Sequence, residues 1–253
     1  MSDDNGTPAA PLTGRVTEIF SSLQGEGRLL GERMIFVRLA GCPWRCRYCD
    51  TPGSLSAGDG AVMSVEDVLD KIHHLQETHV HKWISLTGGE PLVQTEFLRA
   101  LMAACRRLDL STYLETSGTQ PDLLKRVIDE VDQVSMDVKL PSAVGRSFWD
   151  EHAEFLKVGA AKTFLKIVLT AETTDEELER AFQVAASIDP VPLVILQPVT
   201  AVAELSARLE GHRGPPTVMP PPPVRLAAWM DWARRKLPAV KLIPQMHPIW
   251  GLP

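Results

Sequence analysis

Cysteine is scarce in this chain, at four residues of 253, and tyrosine scarcer still, at two. Long apolar runs are missing altogether: none approaches the ~20 residues that a membrane-crossing helix requires, so no bilayer partner is expected. Basic residues are outnumbered, with 26 Lys and Arg against 32 Asp and Glu and a net charge of -6. That balance gives no footprint for gripping a phosphate backbone, which points away from nucleic acid and towards a small-molecule substrate. The opening MSDDNGTPAAPL is acidic and polar where a secretory signal would be basic and then apolar. Residues 1–12 are therefore expected to be disordered, and the cytoplasm is the expected compartment. In a reducing compartment a tight group of cysteines reads as a metal or catalytic site rather than a disulfide framework.

With 44% hydrophobic residues, the chain can bury one substantial core, and residues 13–253 read as a single domain. Short β-rich runs begin at Met34, Trp83, Ser111, Gln133, Phe164 and Leu193. Between them lie amphipathic stretches: SVEDVLDKIHHLQ, opened by Ser64 with Asp67 as a capping box, and others near Glu96, Pro121, Asp175 and Ala201. The alternation predicts an α/β fold of about six parallel strands. The unusual residues gather where strands end: the cysteine loop, TGGEP, ETSG, DVKLPS and QPV. Ligands of parallel βα sheets bind outside the carboxyl ends of the strands, so one site can collect all five loops. The proline-rich HRGPPTVMPPPPVRL reads as a surface connector.

Three of the four cysteines, Cys42, Cys46 and Cys49, fall within LAGCPWRCRYCDTPGSL. Thiolates spaced C-x3-C-x2-C can hold three irons of a 4Fe-4S cluster and leave the fourth iron open to an outside ligand. A structural zinc with a distant fourth ligand is the alternative. Cys105, inside FLRALMAACRRL, reads as a small buried apolar residue.

The spacing resembles that of the radical S-adenosylmethionine (SAM) superfamily, and LTGGEP after a strand resembles the superfamily segment that receives the SAM amino group. This resemblance implies a partial, partly open (β/α) barrel with a radical SAM core. It also implies a cluster whose open iron is chelated by SAM, whose cleavage yields a 5′-deoxyadenosyl radical. By the same resemblance Tyr48, Cys49, Asp50, Gly89, Glu90, Ser135, Asp137, Lys139, Gln197 and Pro198 contact SAM. Two further stretches narrow the family. FSSLQGEG and the tail PQMHPIWGLP, together with FVRLAGC, CRYCDT and ETSG, closely resemble 7-carboxy-7-deazaguanine synthase.

That family is a lyase that contracts 6-carboxy-5,6,7,8-tetrahydropterin to 7-carboxy-7-deazaguanine with loss of ammonia, a 7-deazapurine and queuosine precursor step. The resemblance implies substrate contacts by Leu23, Gln24, Gly25, Arg38, Thr87 and Pro253, with Gln245 and His247 in support. Thr51 is implied as the protein ligand of Mg2+, a hard ion that keeps sites for substrate and water; helix capping is its other reading. Arg38 interrupts the apolar IFVRLAG, and its planar fork suits a carboxylate, although an internal salt bridge would also satisfy it. The family further implies an external electron donor such as flavodoxin or ferredoxin, and a homodimer. SMDVKLPS departs from the shorter Ser-Pro-Lys version of that loop, and stretches near 143–162 and 212–223 read as insertions relative to compact members. Two rivals are a glycyl-radical-enzyme activase, against which SLQGEG and the GLP tail argue, and a non-catalytic metal- or cluster-binding regulatory module.

Overall fold

The computed structural model describes residues 11–200 and 218–253. In chain order the elements are β1 (Thr13–Leu23), β2 (Arg33–Leu39), β3 (Ala61–Ser64), α1 (Val65–Gln76), β4 (Trp83–Gly88), α2 (Thr95–Arg106), β5 (Ser111–Thr116) and α3 (Pro121–Lys125). There follow β6 (Gln133–Asp137), α4 (Pro141–Val144), α5 (Trp149–Gly159), β7 (Thr163–Leu169), α6 (Asp175–Ala186), β8 (Val194–Pro198), α7 (Pro223–Lys236), β9 (Val240–Leu242) and α8 (His247–Trp250). The expected helix near Ala201, most of the proline-rich connector and the first ten residues lie outside the described residues.

The nine strands of the described residues join one sheet in the order β3-β1-β2-β4-β5-β6-β7-β8-β9. From β2 to β9 every neighbouring pair is parallel, whereas β1 runs antiparallel to β2 and to β3. The six expected strands are β2 and β4 to β8, and β9 makes a seventh parallel one. β1 escapes the sequence pattern because a bulge between Val16 and Glu18 breaks its alternation; β3 and β9 are only four and three residues long. The sheet is not closed, with β3 and β9 at its edges, yet it curves enough for residues from β1 to β8 to line one cavity. It is a partly open barrel.

Side chains alternate between the two faces of each strand. Outward residues such as Ile35, Val37, Ile84, Leu86, Leu114, Val134, Leu165, Ile167 and Leu196 pack with α1, α2, α5 and α6 into the main core. Strands buried on both faces usually read as continuous apolar runs. Here the inner face departs from that rule. Its floor is apolar, with Tyr113, Phe164 and Ile195 packed against Leu29, Trp83 and Leu193. Towards the carboxyl ends it carries Arg38, Thr87, Glu115, Ser135, Asp137, Lys166 and Gln197 instead. A polar layer above an apolar floor is arranged for a ligand, not for packing.

The capping box at the start of α1 forms as expected: Ser64 Oγ accepts from the Asp67 amide at 3.1 Å, and the Asp67 carboxylate accepts from the Ser64 amide at 2.8 Å. The stretch 143–162, read from sequence as an insertion, contains α5, the crossover between parallel strands β6 and β7, packed against α3 and α6. A parallel connection requires such a crossover.

Candidate active site

The cavity at the carboxyl ends of the strands holds about 600 Å³, within the usual range for a small-molecule site. Cys42, Cys46 and Cys49 all lie on its wall, half-buried and without disulfide partners. Their loop is anchored by backbone: the Gly41 amide donates to Ser54 O at 2.8 Å, Cys42 N to Leu55 O at 3.0 Å and Arg47 N to Ala143 O at 3.0 Å. Burial pushes the Cys42 and Cys49 thiols above their ordinary value, so a bound cation is what would favour their thiolates. Cys105, by contrast, is fully buried in α2 with its thiol pushed up to about 12 by burial.

The two glycines after β4 hold the cysteine loop by shape. Gly88 has φ +118°, and a Cβ there would sit 2.2 Å from Leu39 O; one at Gly89 would sit 2.2 Å from Gly41 O. In this close approach the Gly89 amide donates to Leu39 O and the Glu90 amide to Gly41 O, both at 2.8 Å. The Glu90 carboxylate does not face the cavity. It is 1% exposed and accepts from Thr116 Oγ1 (2.8 Å), the Ser117 amide (2.8 Å) and Ser117 Oγ (2.5 Å). Ser117 meets Thr119 at 2.8 Å, and Thr119 Oγ1 accepts from Trp44 Nε1 at 3.0 Å, which closes a chain from TGGEP through ETSG to the cysteine loop. Glu90, expected as a SAM contact, is thus a buried strut through its side chain, and Pro198 likewise is not on the cavity wall.

One side of the cavity is an ionic network. Lys139 Nζ meets Asp137 at 2.9 Å and Tyr48 Oη at 3.4 Å, while Lys166 Nζ meets Glu26 at 2.6 Å and Asp137 at 3.9 Å. Burial raises the Glu26 carboxyl, but the charge and hydrogen bond of Lys166 outweigh it and hold the group at about 2. Burial likewise disfavours both ammonium groups, and the facing carboxylates overcome it, keeping Lys139 and Lys166 protonated. The Tyr48 phenol stays protonated through burial and the charge of Asp137. Gln197 is 1% exposed, and its Oε1 accepts no hydrogen bond among the described residues. A buried carbonyl at a cavity wall can accept a hydrogen bond from a ligand donor.

At the other side, Gln24 Nε2 and Ser85 Oγ donate to one oxygen of Glu115 at 3.1 and 3.0 Å, with Thr87 on the other oxygen at 3.4 Å. Arg38 Nε donates to the half-exposed Glu18 at 2.9 Å. That salt bridge uses one edge of the guanidinium, and neither Nη has a hydrogen-bond partner among the described residues. Thr51 does not cap the turn that follows it; its hydroxyl lies 3.9 Å from Cys49 Sγ on the cavity wall. The tail closes this side. Met246 N donates to Gly25 O at 2.9 Å, and Gln245 Nε2 bridges Glu26 (2.8 Å) and Asp50 (3.0 Å). Glu26, Asp50 and His247 each present a ligand atom within 4.8 Å of one another, a set that could hold a metal ion.

Leu23, Gly25, Ser135 and Pro253 line the same cavity. Glu26, Glu115 and Lys166 are the residues that the motif reading passed over. Lys166 interrupts FLKIVLT just as Arg38 interrupts IFVRLAG, and a lone charge inside an apolar strand is the signal that marks both.

The sequence profile of the Radical SAM superfamily matches residues 36–185. The 7-carboxy-7-deazaguanine synthase of Geobacter sulfurreducens is 35% identical, covering 92% of this chain and 96% of that protein. The synthase of the same name from Methanothermobacter thermautotrophicus is 31% identical over 94% and 97%, and that from Pyrobaculum aerophilum 41% identical over 75% and 81%. Among solved structures, QueE from Escherichia coli superposes with a TM-score of 0.61 at 22% identity, over 92% of this chain and 94% of that one. A radical SAM methyltransferase from Sphaerobacter thermophilus gives a TM-score of 0.62 at 11% identity, over 84% and 66%. These two likenesses speak for the fold.

Proposed function

Because the chain belongs to the radical SAM superfamily and, within it, to the 7-carboxy-7-deazaguanine synthase family, we propose that it converts 6-carboxy-5,6,7,8-tetrahydropterin to 7-carboxy-7-deazaguanine with loss of ammonia. The observation that carries this reading is one cavity holding both ends of the chemistry. The three free cysteines and the open Gln197 carbonyl lie on its wall together with Gln24, Arg38, Thr87 and Glu115.

Three unpaired thiols on one loop fit a 4Fe-4S cluster with an open iron, which with SAM supplies the radical that takes hydrogen from C6 of the pterin. The remaining roles fall to this chain's own side chains. Tyr48, Asp137, Lys139 and Gln197 form the wall beside the cysteines and bind SAM by its nucleoside and its amino-acid end. Arg38 turns its free Nη edge to the pterin carboxylate. Glu115, an acceptor already oriented by Gln24 and Ser85, takes the N–H donors of the pterin. Thr51, uncapped and beside Asp50, offers a hard oxygen to Mg2+. The apolar floor of Tyr113, Phe164 and Ile195 keeps bulk water from below.

The reading includes a one-electron donor outside the chain and a pair of identical subunits. Leu242, Ile249 and Trp250 of the C-terminal segment are exposed apolar side chains, which supports the second role. No helix among the described residues is long and apolar enough to cross a membrane.

The test is anaerobic incubation of the cluster-reconstituted protein with SAM, a reductant, Mg2+ and 6-carboxytetrahydropterin, followed by mass analysis. Carboxydeazaguanine formation is the expected result. SAM cleavage with no change in the pterin would leave a radical SAM enzyme of another substrate.

A further inference from the structure

His152, on α5, is 0% exposed and does not itself line the cavity, yet both ring nitrogens are engaged by backbone. Nδ1 lies 2.9 Å from Gly118 O and Nε2 3.0 Å from the Lys139 amide. These partners leave one protonation state. A carbonyl can only accept, so Nδ1 carries the hydrogen; an amide can only donate, so Nε2 is bare. Burial lowers the ring to about 4, which agrees with the neutral form that the two backbone partners select.

The position of this clip in the sheet gives it a consequence. The β5–β6 ladder ends at the pair Thr116 and Met136, and both strands then diverge into the loops that build the cofactor side. Beyond that end, Gly118 O and the Lys139 amide both meet the His152 ring. The imidazole stands between them as a replacement rung. On one side it fixes the loop whose Ser117 and Thr119 brace Glu90 and Trp44; on the other it fixes the backbone from which Lys139 reaches Asp137 and Tyr48.

We propose that His152 is a positioning residue for SAM: a neutral histidine that sets Lys139 and Asp137 at their distance from the cysteine loop. This rests on the SAM reading of the cavity given above. Two amide variants separate its two bonds. His152→Gln can place an acceptor near the Nε2 position and keep the Lys139 bond, whereas His152→Asn can reach only Gly118 O. The expected result is an about tenfold weaker SAM dissociation constant for His152→Asn by calorimetry on the reconstituted protein, the value of one hydrogen bond of about 1.4 kcal/mol. His152→Gln should stay within a few-fold of wild type, and pterin affinity should be unchanged in both.

Hydrogen–deuterium exchange provides a readout that needs no bound cofactor: the Lys139 peptide should exchange faster in the Asn variant than in the Gln variant. A purely structural histidine would lower the melting temperature of both variants alike and leave SAM affinity equal between them, which would overturn the proposal. A wild type that binds no SAM would overturn it too. A wild type that binds SAM without making carboxydeazaguanine would overturn only the proposed substrate.

Discussion

Arg38 and Thr51 each had two readings, and their surroundings separate them by measurement. Arg38 does form an internal salt bridge, but through Nε and to a half-exposed glutamate, a pair of the kind that contributes little stability. Its two Nη groups have no hydrogen-bond partner among the described residues. Arg38→Lys keeps the charge and loses the planar pair of donors, so pterin affinity should fall by a factor of tens, about 2 kcal/mol, with little change in melting temperature; unaltered affinity would make the arginine structural. Thr51 caps nothing, so Thr51→Val should leave the melting temperature within a degree or so. If the hydroxyl ligates Mg2+, turnover drops and loses most of its dependence on the added ion, whereas Mg2+ titrations with equal half-saturation would exclude Thr51 as the ligand. Among the cysteines, Cys46→Ala should abolish SAM cleavage and Cys105→Ala should retain it, since only the first lies on the cavity.

Strand β7 shows what one element contributes through its alternation. Phe164 lies in the floor, Lys166 in the ionic layer and Val168 against Tyr48, while Leu165, Ile167 and Leu169 face the helices. Lys166 therefore joins Glu26, from the β1–β2 turn, to Asp137 on the neighbouring strand. Breaking such a pair by Lys166→Met should cost about 3–5 kcal/mol near neutral pH, because it leaves the buried Glu26 carboxylate without its lysine, whereas Asp137 keeps Lys139. The pH dependence has a definite sign. Glu26 is held at about 2 against an ordinary 4.5, so its stabilisation is complete above pH ~4.5 and is lost as pH falls towards 2. In the variant its pKa should rise, because burial is then opposed only by the Gln245 hydrogen bond and the charge of His247. Urea unfolding near pH 7 and near pH 3 should show the gap between wild type and variant narrowing in acid; a constant gap would mean that the Glu26 charge is not what the lysine serves.

At the scale of the whole molecule, the polar side chains Arg38, Thr87, Glu115, Asp137, Lys166 and Gln197 line a cavity at the carboxyl-end half of a barrel whose other half is packed. The fold thus lacks the inner core that a closed, apolar barrel would have there, and ligands should supply part of it. Anything that binds only the folded state at about a hundred times its dissociation constant adds about 2.7 kcal/mol. For a domain of this size that corresponds to about 5–10 °C in melting temperature. SAM together with the pterin should produce a shift of that order in the reconstituted wild type, and Cys46→Ala should lose the SAM part of it. No shift at saturating ligand would argue that the cavity is not where they bind.

The sequence by itself determined what is local: the C-x3-C-x2-C loop, the six main strands, the capping box at Ser64 and the glycine pair that follows a strand in TGGEP. Each of these is written within a few residues, where spacing and periodicity act directly on the backbone. Only the tertiary structure decided the partners. Glu26 meets Lys166 across 140 positions and Gln245 meets Asp50 across 195, and no periodicity encodes such pairs. It decided that the Glu90 carboxylate points away from the cavity, because Thr116 and Ser117 on the next strand end hold it there. It also made 143–162 a crossover helix and set His152 between two loops, since which strand lies beside which follows from folding the whole sheet, with each pairing fixed by the burial of a core that many distant segments share.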